Sequence, residues 1–321
     1  MRSIEYPAVA VLGPTGSGKS RLGLALALQF QGEIVSCDAL QIYRGMEIGT
    51  AKASPEERRS LPHHMLDLKE PGQDFSAGDY QRLAREALCQ ARARGRIPFV
   101  VGGTGFYYRA LTQGFFEGPG RSPWLRSRMR RIVQRRGSRC LHRALRNVDS
   151  AAAQRISPAD SSRIIRAYEI YLVTGKTMTW WQQQPTDCLK GFRWLRLGLS
   201  WPRQMLYQRI NQRVDEMFDG GFLAEVQTLL SRYPRECHAF KAIGYRQIAD
   251  YLGGKFSLES AIEDTKMESR RYAKRQLTWF RSRGDLVWLE ASPDWEALQK
   301  QAVRLVSQFL EGCHGPGAAP R

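Results

Sequence analysis

Long apolar runs are missing from this chain: no stretch of about 18 consecutive apolar residues occurs, which excludes a membrane-spanning helix. Paired cysteines are missing too. Cys37, Cys89, Cys140, Cys188, Cys237 and Cys313 are scattered, so neither a zinc-ligand spacing nor a disulfide framework is visible, and a reducing cytoplasm is expected. Met1 to Pro7 runs straight into the first strand candidate, leaving no room there for a secretion signal. Acid is scarce: 31 Asp and Glu stand against 49 Lys and Arg, a formal net charge of +18. Between Gly118 and Val148 there is no acid at all, but there are ten arginines: Arg121, Arg126, Arg128, Arg130, Arg131, Arg135, Arg136, Arg139, Arg143 and Arg146. An evenly spread surplus would describe a solubilising surface. This one is concentrated, and arginine at such density with Trp124 in its midst suits phosphate contacts and base stacking, so a nucleic acid is the expected partner.

What the chain does have, near its start, is glycine in a set order. Gly13-Pro14-Thr15-Gly16-Ser17-Gly18-Lys19-Ser20 fits the phosphate-binding loop pattern GxxxxGK[ST]. It lies between Ala8–Leu12, a buried-strand run, and Arg21–Phe30, a run of good helix formers, which is the context the motif requires. The glycines let backbone N–H groups turn inward around phosphate oxygens, and the helix N-terminus adds partial positive charge. Lys19 is then placed to reach the terminal phosphate and Ser20 to hold Mg²⁺. The loop announces a phosphate or diphosphate without naming the molecule that carries it.

At 321 residues and 42% hydrophobic content, the chain can bury a large core and form two domains. Strands are predicted at Ala8–Leu12, Glu33–Cys37, Met65–Leu68, Ile97–Val101, Trp194–Ser200 and Leu286–Glu290, with an amphipathic helix over Ala77–Arg94. Strands spaced by helices give an α/β fold, a P-loop NTPase-like parallel sheet flanked by helices on both faces. The expected division is a first part of the P-loop core over 1–117, a helical, arginine-rich insertion over 118–189, core completion with a C-terminal helical layer over 190–311, and a disordered tail over 312–321. Helices are expected over Gln204–Tyr251 and Leu258–Arg283. Functional groups of open parallel sheets gather beyond the C-terminal strand ends. Asp38 closes the second strand and Gly102-Gly103-Thr104-Gly105 the fourth. A carboxylate there suits a general base or metal ligand and Thr104 a donor to a leaving phosphate oxygen, while a helix cap and a plain turn are the structural alternatives. Two other functions share the loop. A small-molecule kinase leaves the arginine segment without a role. A nucleic-acid-stimulated ATPase needs a strand ending in two acids, and the strand ending at Asp38 has one.

Five blocks carry a closer resemblance: Gly13–Ser20; Ser36-Cys37-Asp38-Ala39-Leu40-Gln41-Ile42-Tyr43-Arg44-Gly45 continuing to Lys52; Pro62–Asp67; Val101–Gly105; and Arg271-Tyr272-Ala273-Lys274-Arg275-Gln276 continuing to Arg281. In sequence order they resemble the signature of the tRNA dimethylallyltransferase family, also called tRNA isopentenyltransferase, of bacterial type. Departures are small: Gly16 for the more usual Ala, Ser20 for Thr, and Ala39-Leu40 for Ser-Met. No zinc finger like that of eukaryotic relatives is present. The resemblance implies transfer of a dimethylallyl group from dimethylallyl diphosphate to N6 of adenosine 37 in tRNAs that read codons beginning with U, releasing diphosphate. Asp38 would be the base and Thr104 the donor to the diphosphate oxygen, with Lys19 as electrophilic help and Mg²⁺ on Ser20. The RNA would be met by Asp38, Ala39, Leu40, Gln41, Thr104, Arg126, Ser162, Arg163, Ile164, Ile165, Arg166, Lys241, Ala242, Ile243, Gly244, Tyr245, Arg246, Arg270, Arg271, Lys274 and Arg275. On the last helix, Ala273, Leu277 and Phe280 would pack inward. The expected partners are the tRNA anticodon loop and the prenyl donor, with no membrane, no obligate protein partner and a monomeric working form.

Overall fold

The computed structural model describes residues 5–116 and 118–314. They form two compact units, one from Met1–Thr112 with Leu189–Arg321 and one over Gln113–Cys188, where the sequence pattern sets an insertion at 118–189. In chain order the elements are β1 (Tyr6–Leu12), α1 (Lys19–Gln29), β2 (Glu33–Cys37), α2 (Pro55–Ser60), β3 (His63–His64), α3 (Ala77–Ala93), β4 (Pro98–Gly102) and α4 (Gly105–Gln113). The smaller unit contributes α5 (Pro123–Arg136), α6 (Ser138–Val148), α7 (Ser150–Arg155), α8 (Ser161–Thr174) and α9 (Met178–Gln182). The chain then returns through β5 (Phe192–Ser200), α10 (Arg203–Asp219), α11 (Phe222–Arg232), a 3₁₀ turn at His238–Lys241, α12 (Tyr245–Leu252), α13 (Leu258–Arg281), β6 (Val287–Glu290) and α14 (Trp295–His314).

The six strands form one parallel sheet in the order β3-β2-β4-β1-β5-β6. Along β1, Val9 and Val11 face Leu22 and Leu26 of α1 and Ala302 and Val306 of α14. Ala8, Ala10 and Leu12 face the other way, onto Tyr80, Ala84 and Leu88 of α3 and Leu111 of α4. Both faces are covered, which is why the strand reads as an unbroken apolar run rather than an alternation. The start of α3 is fixed by a capping box: the Ser76 hydroxyl accepts the Asp79 N–H at 3.1 Å, and the Asp79 carboxylate accepts the Ser76 N–H at 2.9 Å.

The third strand departs from expectation. It is His63–His64, and Met65–Leu68 is a turn, because Met65 and Asp67 sit in the left-handed region at φ 66° and 53°, which a strand does not allow. The Gly-Pro tail expected over 312–321 begins as helix, since α14 runs to His314; residues 315–321, like Met1–Ile4 of the expected leaderless start, lie outside the described residues.

Beyond the sheet, α10 to α13 form a helical layer. Ile42, Tyr43 and Met46, on the segment after β2, pack into it against Phe222, Val226, Tyr245 and Ile248. The Glu225 carboxylate on α11 accepts the N–H groups of Glu47 and Ile48 at 3.0 and 2.7 Å and the Tyr245 hydroxyl at 2.6 Å. These bonds hold the chain that follows Asp38 in place. The smaller unit, read by itself, contains only helices among its described residues, closed around Leu141, Leu145, Ile164, Ile165 and Tyr168.

Candidate functional site

The phosphate-binding loop wraps the start of α1 as the glycines require. Gly16 and Gly18 take φ values of 76° and 88°, and a Cβ on Gly16 would lie 2.9 Å from the Ile210 side chain of α10. Gly13, Pro14 and Ser17 are buried behind the loop, while Thr15, Lys19 and Ser20 line a cavity of about 480 Å³. Lys19 Nζ donates to the Pro14 carbonyl at 3.2 Å. Asp38, Ala39, Leu40, Gln41 and Thr104 line the same cavity, as do Lys241, Ala242, Ile243 and Arg275. Asp38 therefore lies beside the loop, not remote from it. One of its oxygens accepts the Leu40 N–H at 2.9 Å, a turn-capping bond that leaves the other oxygen to act. The Thr104 hydroxyl accepts the Ala39 N–H at 3.2 Å, and the Thr104 N–H donates to the Cys37 carbonyl at 3.1 Å, so the ends of β2 and β4 are tied together.

Five polar cavity residues of α10 and α13 carry no assignment from the sequence. Arg213 donates to the Thr15 hydroxyl at 2.6 Å, and its Nε is buried without a hydrogen-bond partner. Gln276 accepts the Thr15 N–H at 2.9 Å and donates to the Gly103 carbonyl at 2.8 Å, joining the phosphate loop to the glycine turn after β4. Thr265, Ser269, Tyr272 and Gln276 recur at intervals of four, three and four along α13, which puts a polar stripe of one helix face on the cavity. On the outer side of the loop, Arg209 donates to the Gly16 carbonyl at 3.0 Å while lying 4.4 Å from the Trp201 ring, whose Nε1 donates to the Ser17 carbonyl at 2.9 Å. Two of the loop's carbonyls are thus held from outside, while its Thr15 N–H is on Gln276 and its Ser17 N–H on the Pro14 carbonyl. The available sequence signal is the four-residue spacing of Arg209 and Arg213 around Ile210, the side chain that meets Gly16.

The electrostatics are those of a site built for a polyanion. Neither Lys19 nor Arg213 has a carboxylate within 4.0 Å among the described residues. Burial, and then the neighbouring Arg213 guanidinium, lower the Lys19 amine to about 8. Burial likewise lowers Arg213, partly offset by Asp38. Burial pushes the Cys37 thiol up to about 12, so it is no nucleophile at neutral pH, and pushes the Tyr272 phenol up to about 12, keeping it a hydrogen-bond donor.

Other expected RNA contacts are placed elsewhere. Tyr245 is fully buried with its hydroxyl on Glu225, and Gly244 packs against Phe222, so both hold the fold and offer no side chain to a ligand. Gln41, although it lines the cavity, has its amide bonded to Ser36 and to the Thr50 and Ala51 carbonyls. Arg246, Arg271 and Lys274 are exposed, with Arg271 on Glu268, and Arg270 donates to Asn211. In the smaller unit, the Ile164 and Ile165 side chains are buried in the core, while Ser162 and Arg163 are exposed. Arg126 and Arg166 both clasp the buried Glu169, Arg126 through two bonds of 2.8 Å and Arg166 through one of 2.6 Å. Burial raises the Glu169 carboxyl, but these bonds and the Ser122 N–H outweigh it and hold the group down at about 2. The segment without acids is thus supplied with one from α8.

A family model described as IPP transferase matches residues 41–283. The tRNA dimethylallyltransferase of Koribacter versatilis is 47% identical over 296 residues, 92% of this chain and 96% of that protein. The crystal structure of the full-length tRNA isopentenylpyrophosphate transferase of Bacillus halodurans superposes with a TM-score of 0.72 at 38% identity, covering 96% of this chain and 98% of that one. A eukaryotic dimethylallyltransferase, captured acting on tRNA, gives a TM-score of 0.81 at 28% identity over 96% of this chain and 80% of that one.

Proposed function

The chain belongs to the IPP transferase family, and from that premise we propose that it transfers the dimethylallyl group of dimethylallyl diphosphate to N6 of adenosine 37 in tRNAs that read codons beginning with U. The observation that carries the reading is one cavity lined by two cations without carboxylate partners, Lys19 and Arg213, together with Asp38 and Thr104. A diphosphate satisfies those cations, and the loop N–H groups add to them. Attack by N6 on the allylic carbon breaks the C–O bond, the electron pair leaves on diphosphate, and the N6 proton passes to Asp38. The adenine amine is a weak nucleophile because its lone pair is delocalised, so a positioned carboxylate assists it by taking the proton. Thr104 donates toward the oxygen on which charge grows, where an interaction counts most for rate. The adenine reaches the cavity by leaving the anticodon-loop stack, at a cost of a few kcal/mol that RNA contacts offset.

Mg²⁺ fits this arrangement as a proposal. Ser20 lines the cavity, and a hard cation held by its hydroxyl, by donor oxygens and by water would need no protein cage. Its chemistry would be neutralisation of diphosphate charge. A phosphoryl-transferring kinase or RNA-stimulated ATPase is not favoured, given the family. A monomer acting in the cytoplasm is part of the proposal. The decisive experiment incubates the protein with labelled dimethylallyl diphosphate, Mg²⁺ and unmodified tRNA carrying A36-A37-A38. Label at A37 is expected; ATP hydrolysis stimulated by RNA, with no label transferred, overturns the reading.

A further inference from the structure

Past the cavity, the end of α13 meets the start of α4. Gly105, directly after Thr104, has no room for a side chain, since a Cβ there would lie 2.3 Å from the Trp279 ring. That contact fixes two aromatic-backed arginines near one another. Arg109 sits over Phe106, one turn earlier on α4, at 5.6 Å, and Arg283 over Trp279 at 4.8 Å. Neither arginine has a carboxylate within 4.0 Å among the described residues; Asp285, two residues beyond Arg283, is taken by Arg196 at 3.2 Å. The Arg283 Nε is buried without a hydrogen-bond partner. Burial and the Arg283 charge together lower the Arg109 guanidinium, as expected of two like charges held close without an anion. Phe106 stays 52% exposed beside them.

We propose that Arg109 and Arg283 clamp one backbone phosphate of the RNA substrate, with Phe106 as the apolar edge of the clamp. Resting on the function proposed above, this assigns a subsite to it. Two guanidinium forks that face no acid match a phosphate's oxygens. The occupant is RNA rather than a free anion because α13 is continuous from Gln276 at the cavity to its end beside Arg283. From Gln276 to the helix end at Arg281 the rise is about 7.5 Å, with Arg283 two residues further on, the reach of nucleotides flanking a base held in the cavity. An exposed ring next to the cations is also what an unstacked strand uses.

The test compares the Arg109→Gln/Arg283→Gln and Arg109→Lys/Arg283→Lys double variants with the wild type. Affinity for a fluorescent, unmodified anticodon stem-loop is measured across salt concentrations, together with the KM for dimethylallyl diphosphate. The Gln pair should bind RNA roughly tenfold more weakly, with a log-log salt slope reduced by about 0.7 to 0.9 for the one phosphate released. The Lys pair keeps the charge and should keep the slope while losing part of the affinity with the fork. An unchanged donor KM shows that both variants are folded. Wild-type RNA affinity and slope in the Gln pair, in a protein that still prenylates tRNA, overturn the clamp alone. Failure of the wild type to bind or prenylate RNA overturns the function and the clamp together.

Discussion

At the scale of single residues, the site's behaviour rests on where protons sit. Asp38→Asn keeps the shape and the Leu40 capping bond but cannot take the N6 proton. Its single-turnover rate should fall about 10²-fold or more, with tRNA affinity nearly unchanged; a rate within a few-fold of wild type removes Asp38 from the base role. Lys19 carries a pH prediction of definite sign. Its amine is lowered from 10.5 to about 8, so in the free enzyme the charge is lost as pH rises through about 8. Donor binding needs that charge. The donor kcat/KM should therefore be flat below pH 8 and fall above it, approaching tenfold per unit. Arg213→Gln removes the second-largest cause of the lowering and should move the limb to higher pH. Lys19→Arg, charged throughout, should abolish it; an alkaline limb that survives in Lys19→Arg belongs to another group.

At the scale of elements, the smaller unit has its own polar keystone in α8. Glu169 is buried, accepts the Ser122 N–H at 2.6 Å and is clasped by Arg126 and Arg166. Glu169→Gln leaves two part-buried guanidiniums without their carboxylate and should cost about 3–5 kcal/mol at neutral pH. Because the folded group is held at about 2 against an ordinary 4.5, its contribution is complete above 4.5 and is lost as pH falls from there toward 2. Amide exchange over residues 123–174 should show both the loss in the variant and its shrinkage in acid; equal protection at pH 7 refutes the keystone. The same pair marks the limit of what was legible from residues alone. The P-loop, β2, β4 and the Asp38 and Thr104 strand ends were readable because glycine order, apolar runs and strand-end position are local signals. The ion pair of Arg126 leaves no mark in the sequence because its acid lies 43 residues away, and the roles of Arg213 and Gln276 leave none because they come from packing of α10 and α13 on the loop. The Met65–Leu68 run read as a strand for its apolar content, while two left-handed residues that no propensity flags turned it away.

At the scale of the whole molecule, the formal charge of +18 raises the question of whether it merely solubilises or grips RNA. Of the ten arginines between Gly118 and Val148, Arg126 is spent on Glu169, whereas the other nine are exposed. Trp124 on α5 is 63% exposed, with Arg128 at 5.5 Å over its ring. If this surface meets the RNA backbone, changing Arg128, Arg130, Arg131 and Arg135 together to Gln should flatten the salt dependence of tRNA affinity. Neighbours on one helix share phosphates, so the release of two or three phosphates would change the log-log slope by about 1.5 to 2.5. Removing four charges also weakens long-range attraction wherever they lie. A control of equal charge therefore replaces Arg82, Lys255, Lys300 and Arg304, all exposed and all on the larger unit, by Gln. The control should keep its slope within a few tenths of wild type, and donor KM should hold in both variants because Lys19 and Arg213 are untouched. Equal flattening in the two would mean that the protein attracts RNA by net charge alone, and that the arginines of α5 are no more an RNA contact than the rest of its surface.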